Sequence, residues 1–281
     1  MRDDTKLDEA RRFYAKQMAA ASRSADSRLE RVLGLVQRET FLPPGPWQVM
    51  VGDRFVETPS ADPIHLYQNI LVALDAAKGI NNGEPFLHAA WIGAVSPQPG
   101  EAICQVGTGT GYYTAMLSLL VQPGGSVHAF EIEPDLAAIA RHNLRPFESV
   151  TIIEGDATKL AMPPCDLIYV NAGVVAPPLS WLRALRPGGR MIFPWRPTDD
   201  IGLTVLLTEA GYGFAAKALM SAWFVPCLGA SNPNVCVQAP TLSGARSLHS
   251  AWLTIDRHPD DTAIAIYDDV WFSSARLPED T

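Results

Sequence analysis

The stretch Ala102-Ile103-Cys104-Gln105-Val106-Gly107-Thr108-Gly109-Thr110-Gly111-Tyr112-Tyr113-Thr114 decides how this chain is read. A short apolar run (Ala102, Ile103, Val106) stops at three alternating glycines, and Tyr112 opens a helix-like apolar pattern. A strand that turns through glycines into a helix brings backbone N–H groups close to a ligand, at the positive end of the helix dipole. The dinucleotide fingerprint G-x-G-x-x-G needs a glycine where this chain has Tyr112. The spacing here is G-x-G-x-G, which favours a nucleoside whose ribose and amino-acid part lie over the loop rather than a pyrophosphate.

Downstream of the loop, strand and helix patterns alternate. Residues 126–131 read as a strand ending in a carboxylate, 134–144 as a helix, and 150–154 as a strand running into Gly155-Asp156-Ala157. Residues 166–171 form a further strand, 179–185 a helix, 186–189 a turn and 190–193 a strand. Such alternation predicts a parallel doubly wound sheet, in which ligands bind at the carboxyl ends of the strands. Gly107, Glu131, Asp156 and Asn171 all fall at such ends. Upstream, Leu7, Ala10, Tyr14 and Met18 recur at helical spacing, as do Leu29, Val32, Leu33 and Val36, with Ser24 or Asp26 as the cap of the second helix. Residues 47–63 read as an ordered loop, 64–77 as a helix with Leu66, Ile70, Leu71 and Leu74 on one face, and 79–85 as a turn. Pro85 then starts a helix whose stripe is Leu87, Trp91, Ala94 and Val95. Beyond Pro194, segments 203–208 and 215–225 read as a hairpin, 229–244 as loop, and 251–255, 263–267 and 270–273 as short strands.

Composition narrows the class. Of 281 residues, 47% are hydrophobic and 19% charged, enough for a substantial core. A net charge of −8 argues against a general nucleic-acid partner. Cys104, Cys165, Cys227 and Cys236 show no metal or disulfide spacing, so free thiols and no metal are expected. The charged start and the lack of an apolar run of about 18 residues predict a soluble cytoplasmic protein without a membrane partner. Oligomeric state is not legible.

Glu131 follows Gly107 by 24 residues, near the interval of about 20 at which an acid grips ribose hydroxyls. Asp156 is placed to accept from an adenine amine, or else belongs to an ordinary Gly-Asp turn. Gln105 either bonds the loop or a ligand ammonium, or is structural.

Together, GTGTGYYTA, HAFEIEP, the GDA turn, LRPGGRMIFP, the early RLERVLGLVQRETFLPP and the late WFVPC resemble the protein-L-isoaspartate O-methyltransferases, across roughly residues 11–226. The first three motifs are common to class I methyltransferases; the R-E-x-F-x-P element and the approach to PFLHA are more particular. The resemblance implies a Rossmann-like α/β fold with a seven-stranded sheet and N-terminal helices, here with a C-terminal β-rich extension. It divides the chain into a methyltransferase domain, 1–228, with a helical cap, 1–78, and an extension, 229–281. It implies S-adenosyl-L-methionine as cofactor, held by Gln105, Gly107, Thr108, Gly109, Tyr112, Tyr113, Glu131, Ile132, Gly155, Asp156, Ala157 and Asn171.

The chain departs from that family at the acceptor side. A Thr-Ile-Ser stretch usually precedes the family's Pro-x-x-His-Ala; here Ile80-Asn81-Asn82-Gly83-Glu84 does, and Gly83 stands at the serine position. Asn81 or Asn82 is then the candidate polar group, and Glu84 adds a negative charge. A carboxylate acceptor, with an ordinary pKa near 3.9, needs no general base, whereas an alcohol or amine would need one, from His88 or Glu84. The leading expectation is methylation of a peptide or protein carboxylate. A small metabolite or modified peptide is the alternative acceptor, and a non-catalytic cofactor-binding module the second alternative.

Overall fold

Two helices, Arg2–Ser22 and Ser27–Leu35, open the chain where the periodicity predicts them. They belong to a computed structural model that describes residues 2–278. Asp26 is the cap: its carboxylate accepts from the Arg28 amide at 2.9 Å, satisfying one of the orphan donors of the first turn. Tyr14, Met18, Leu29, Val32 and Leu33 are buried.

These helices lie in the first of two compact units, formed by the chain up to residue 101 together with 108–154. Helix Pro85–Val95 is buried on nearly every side. Leu87, Trp91 and Val95 of its predicted stripe are buried, but Ala94 is exposed. Gly93 instead packs so tightly that an added Cβ would lie 2.8 Å from the Ser22 carbonyl. Gly111, at φ +100°, starts helix Tyr112–Leu120. Strand Ser126–Glu131 pairs in parallel with Val150–Glu154, and helix Pro134–Asn143 connects them.

Two upstream readings are corrected. Residues 47–63 are not loop throughout: Gln48–Val51 and Arg54–Glu57 form an antiparallel hairpin across Gly52, whose φ is +63°. Its strands are four residues long with exposed Val51 and Val56, so alternation gave little signal. Residues 64–77 are not a helix: a 3-10 turn, Pro63–Leu66, leads to strand Ala73–Asp75, which pairs with Ile80–Asn81. The cause is tertiary. The buried Arg38 guanidinium takes the carbonyls of Leu66, Gln68 and Ile70, acceptors that a helix would need for its own amides. Helical spacing of apolar residues cannot compete with that.

The second unit contains residues 102–107 and those from 155 onward. Strand Ala102–Val106 lies parallel to Cys165–Val170, which lies parallel to Leu185–Thr198. The stretch read as a turn at 186–189 is an irregularity inside that last strand, with Gly188 at φ +73° and its amide donating to Glu209. Strands Ile201–Glu209 and Phe214–Ser221 add the expected antiparallel hairpin, the second ending before residues 222–225. The C-terminal strands continue the same sheet: Ser250–Leu253 pairs with Phe214–Ser221, Val270–Ser273 with Ser250–Leu253, and Ala263–Tyr267 with Val270–Ser273. Cys236–Gln238, within the expected loop, pairs at the outer edge. Trp195 locks this extension down, its ring tilted against that of Phe272 with centroids 4.8 Å apart and its indole N–H donating to the Val175 carbonyl and the Tyr267 hydroxyl. The cysteines are free, as expected.

Arg38→Met is expected to lower the unfolding free energy by about 3 kcal/mol, because three carbonyls lose a charged donor. Denaturant unfolding of the two proteins checks it.

Candidate functional site

In the first unit the glycine loop and the strand-end acid meet. The Gly109 amide donates to Glu131 Oε2 at 2.6 Å and the Glu133 amide to Oε1 at 3.0 Å. Thr108 donates through its amide and hydroxyl to the Phe130 carbonyl. Burial pushes the Glu131 carboxyl above its ordinary value, against the pull of those backbone donors. A buried carboxylate held by two amides keeps lone pairs for a pair of hydroxyls. Leu74, on strand Ala73–Asp75, packs over Gly109, and Lys78 pairs with Glu133. Thr110 donates to Phe41 and Asn143 to Thr110, fixing the loop from behind. Gly111 has no room for a side chain: a Cβ would lie 2.6 Å from Leu144.

The tyrosines after the loop have different surroundings. Tyr112 is core, its hydroxyl 3.3 Å from that of Tyr14 and its ring against Phe41 and the Arg38 guanidinium. Tyr113 turns to His88 and Gly83. Its ring stacks on His88 with centroids 3.6 Å apart, and its hydroxyl donates to the Gly83 carbonyl at 3.2 Å. Gly83, at φ +75°, is closed to a side chain, since a Cβ would lie 2.4 Å from His88 Nε2 and 3.0 Å from the Tyr113 ring. Its amide donates to Asn81. Asn82 is engaged with the backbone, accepting from the Val72 amide at 2.9 Å. Glu84 accepts from Asn69 Nδ2 at 2.7 Å. His88 is buried, and burial pushes its pKa down to about 3, so the ring is neutral at physiological pH. The structure thus brings Gly83, His88 and Tyr113 together. It also adds Asn69, which lay hidden in a stretch read as helix.

In the second unit Gly107, at φ +78°, abuts Asn171: a Cβ there would approach the Asn171 Cβ at 3.3 Å. Asn171 Nδ2 donates to the Gly107 carbonyl at 2.9 Å, while its buried Oδ1 has no protein partner. Both amide atoms of Gln105 are likewise buried and unpartnered, so the bond to the loop considered from sequence is not made. Asp156 closes its own turn, accepting from the Thr158 amide and hydroxyl and pairing with Lys159 at 3.2 Å. Burial works to raise this carboxyl, but Thr158 and Lys159 outweigh it and leave it below the ordinary value. Ala157 is buried, with its carbonyl taken by the Trp181 indole. Gly229, which sequence reasoning missed, comes close enough that a Cβ would lie 3.1 Å from the Asp156 carboxylate. Ile132 is partly exposed beside Glu131. Among the described residues there is no cluster of metal-ligating side chains, and no helix is long and apolar enough to cross a membrane.

With this geometry in view, the likeness to known proteins is specific. The model of the family "Protein-L-isoaspartate(D-aspartate) O-methyltransferase" matches residues 53–232. A protein-L-isoaspartate O-methyltransferase of Aeropyrum pernix is 29% identical over 235 residues, covering 82% of this chain and 83% of its own length. One from Myxococcus xanthus is 36% identical over 164 residues, covering 56% and 76%. A solved protein-L-isoaspartate O-methyltransferase superposes with a TM-score of 0.65 at 18% identity, covering 92% of this chain and 86% of that one. Another, from Plasmodium falciparum in complex with S-adenosyl-L-homocysteine, gives 0.61 at 16% identity, with 77% and 97% coverage. These structures share the α/β fold of this chain.

Two outcomes are expected. Gly83→Ser, which would supply the missing hydroxyl, forces a side chain into His88 at a left-handed backbone position. It should cost about 2 kcal/mol of stability and give no gain in turnover, as thermal unfolding and activity on one sample would show. His88 is neutral when folded but takes up a proton in the unfolded chain. Its contribution to stability is therefore complete above about 6.5 and is lost as pH falls toward about 3. The melting temperature should fall more steeply between pH 6.5 and pH 4 in the native protein than in His88→Phe.

Proposed function

The chain belongs to the protein-L-isoaspartate O-methyltransferase family, and from that premise we propose that it transfers a methyl group from S-adenosyl-L-methionine to the carboxylate of an isoaspartyl residue in a peptide or protein. The observation that carries the reading is the buried Glu131 carboxylate, fixed by the Gly109 and Glu133 amides at the carboxyl end of its strand. The unpartnered Asn171 Oδ1 and Gln105 amide are further buried polar groups of the kind a polar cofactor satisfies. The residues present therefore fit this cofactor.

Bound there, S-adenosyl-L-methionine supplies an electrophilic methyl on a sulfonium. The protein's own part is alignment and exclusion of water. Glu131 would hold the ribose hydroxyls, helped by Thr108, Gly109 and Ile132. Gly155, Asp156 and Ala157 would hold the adenine, and because the Asp156 oxygens already close their turn, the backbone of this turn would carry part of the recognition. Gly107, Gln105 and Asn171 would hold the amino-acid end. Tyr112 supports the loop from the core and Tyr113 shapes the acceptor side, together with Asn81, Asn82, Gly83, Glu84 and His88. No residue of this group is asked to remove a proton, because a carboxylate acceptor is already ionised at neutral pH. The buried His88 suits that chemistry: with its pKa pushed down to about 3 the ring is a weak base, and this reading asks it only to shape the site.

The reading assigns the transfer to residues 1–228, with 1–78 as the cap and 229–281 as an extension of the sheet. A cytoplasmic location belongs to the same reading, as does the absence of a nucleic-acid partner. One observation favours a second acceptor class: position 83 is closed to a side-chain hydroxyl and Glu84 brings a negative charge. A small metabolite or modified peptide would then replace the isoaspartyl residue, with the cofactor unchanged.

Incubation with methyl-labelled S-adenosyl-L-methionine and an isoaspartyl peptide is expected to give base-labile label, absent from the aspartyl control peptide. Cofactor binding without transfer would move the reading to the second acceptor class, and absence of binding would leave a non-catalytic module. Glu131→Gln should weaken S-adenosyl-L-homocysteine binding by about 10- to 100-fold, the loss of charge-assisted hydrogen bonds, as titration calorimetry would measure.

A further inference from the structure

Helix Pro85–Val95 begins at Glu84, whose own side chain makes no capping bond. The cap comes from elsewhere in the sequence. Asn69 Oδ1 accepts from the Phe86 amide at 2.8 Å, and its Nδ2 donates to Glu84 Oε1 at 2.7 Å. One carboxamide thus holds the helix start and the Glu84 carboxylate together.

Asn69 is itself held. Arg38 Nη1 donates to the carbonyl of Gln68 at 3.1 Å and Nη2 to that of Ile70 at 3.0 Å, one on each side of Asn69. Nη1 also reaches the Leu66 carbonyl. The guanidinium is fully buried and its plane lies near the rings of Tyr14 and Tyr112. A rigid core group therefore sets the backbone from which an exposed side chain projects.

We propose that Asn69 is a positioning residue that sets affinity for the anionic acceptor, by immobilising the Glu84 carboxylate and partly offsetting its charge. The proposal rests on the reading of residues 81–88 as the acceptor side. A carboxylate acceptor approaching this segment meets a like charge at Glu84, one residue from Gly83. Like charges a few ångströms apart repel, and at this exposed position salt screens the repulsion. With Nδ2 donating to it, Glu84 is fixed in one rotamer and its charge is directed toward Asn69. Freed from Asn69, it can swing along the acceptor path. Arg38 acts on this only through Asn69, by fixing the peptide groups on either side of it.

The test compares the native protein with Asn69→Ala, Asn69→Asp and the double variant Asn69→Ala/Glu84→Gln. Transfer to an isoaspartyl peptide is measured at low and high salt, with titration of S-adenosyl-L-homocysteine alongside. Asn69→Ala should raise KM for the peptide about tenfold at low salt with kcat little changed, a size expected for one exposed like-charge contact. Asn69→Asp keeps an oxygen for the Phe86 amide but loses the donor and adds a charge, so it should raise KM at least as much. The double variant should return KM close to the native value, high salt should shrink the rise, and cofactor affinity should stay constant throughout. A rise that persists in the double variant, or a native KM in Asn69→Asp, would mean that Asn69 merely caps the helix, and would overturn the proposal. A native protein that binds S-adenosyl-L-homocysteine but does not methylate the peptide would instead overturn the functional reading itself.

Discussion

A cation with no access to water governs the path of the chain from Leu66 to Gly83. Arg38 is buried, and its Nη1 and Nη2 are met by carbonyl oxygens with aromatic rings alongside, while its Nε has no partner. Taking a guanidinium out of water is costly unless its donors are matched, so the peptide groups around it have little freedom. They cannot form a helix, since their carbonyls point inward to Arg38. The chain leaves this clamp as strand Ala73–Asp75, turns, and returns through Ile80–Asn81 to Gly83. The cover over Gly109 and the start of helix Pro85–Val95 both follow from that path.

The glycine loop and the strand ends are built differently. Each is a short local motif. The positions of Gly107, Glu131 and Asp156 at or just beyond strand ends were legible in the sequence because each needs only its neighbours and the parallel-strand rhythm. The short bonds at Glu131 and the tight approach at Gly107 are what such motifs produce. Asp156 illustrates the limit of local reading. Its carboxylate could be assigned to a ligand or to its own turn, and the structure gives both oxygens partners within the turn.

What was not legible depended on distant groups. The helical spacing at Leu66, Ile70, Leu71 and Leu74 is real, but no pattern within that window reveals that Arg38 will take its carbonyls. The role of Asn69 was hidden for the same reason. Ala94 looked like part of a stripe because a helix buried nearly all round has no single apolar face to read. The strand Leu185–Thr198 runs through residues 186–189 because a bulge with glycine at positive φ keeps the pairing that a true turn would end. The C-terminal strands were visible as segments. Their attachment to Phe214–Ser221 depends on register, which is set by long-range pairing.

Gly83 also has a consequence for redesign. His88 and Tyr113 fill the volume that a side chain at position 83 would need. A hydroxyl placed there therefore calls for a compensating change at His88 or Tyr113, and trimming His88 removes its stacking on Tyr113. The three positions form one coupled unit, so that substitutions among them do not add.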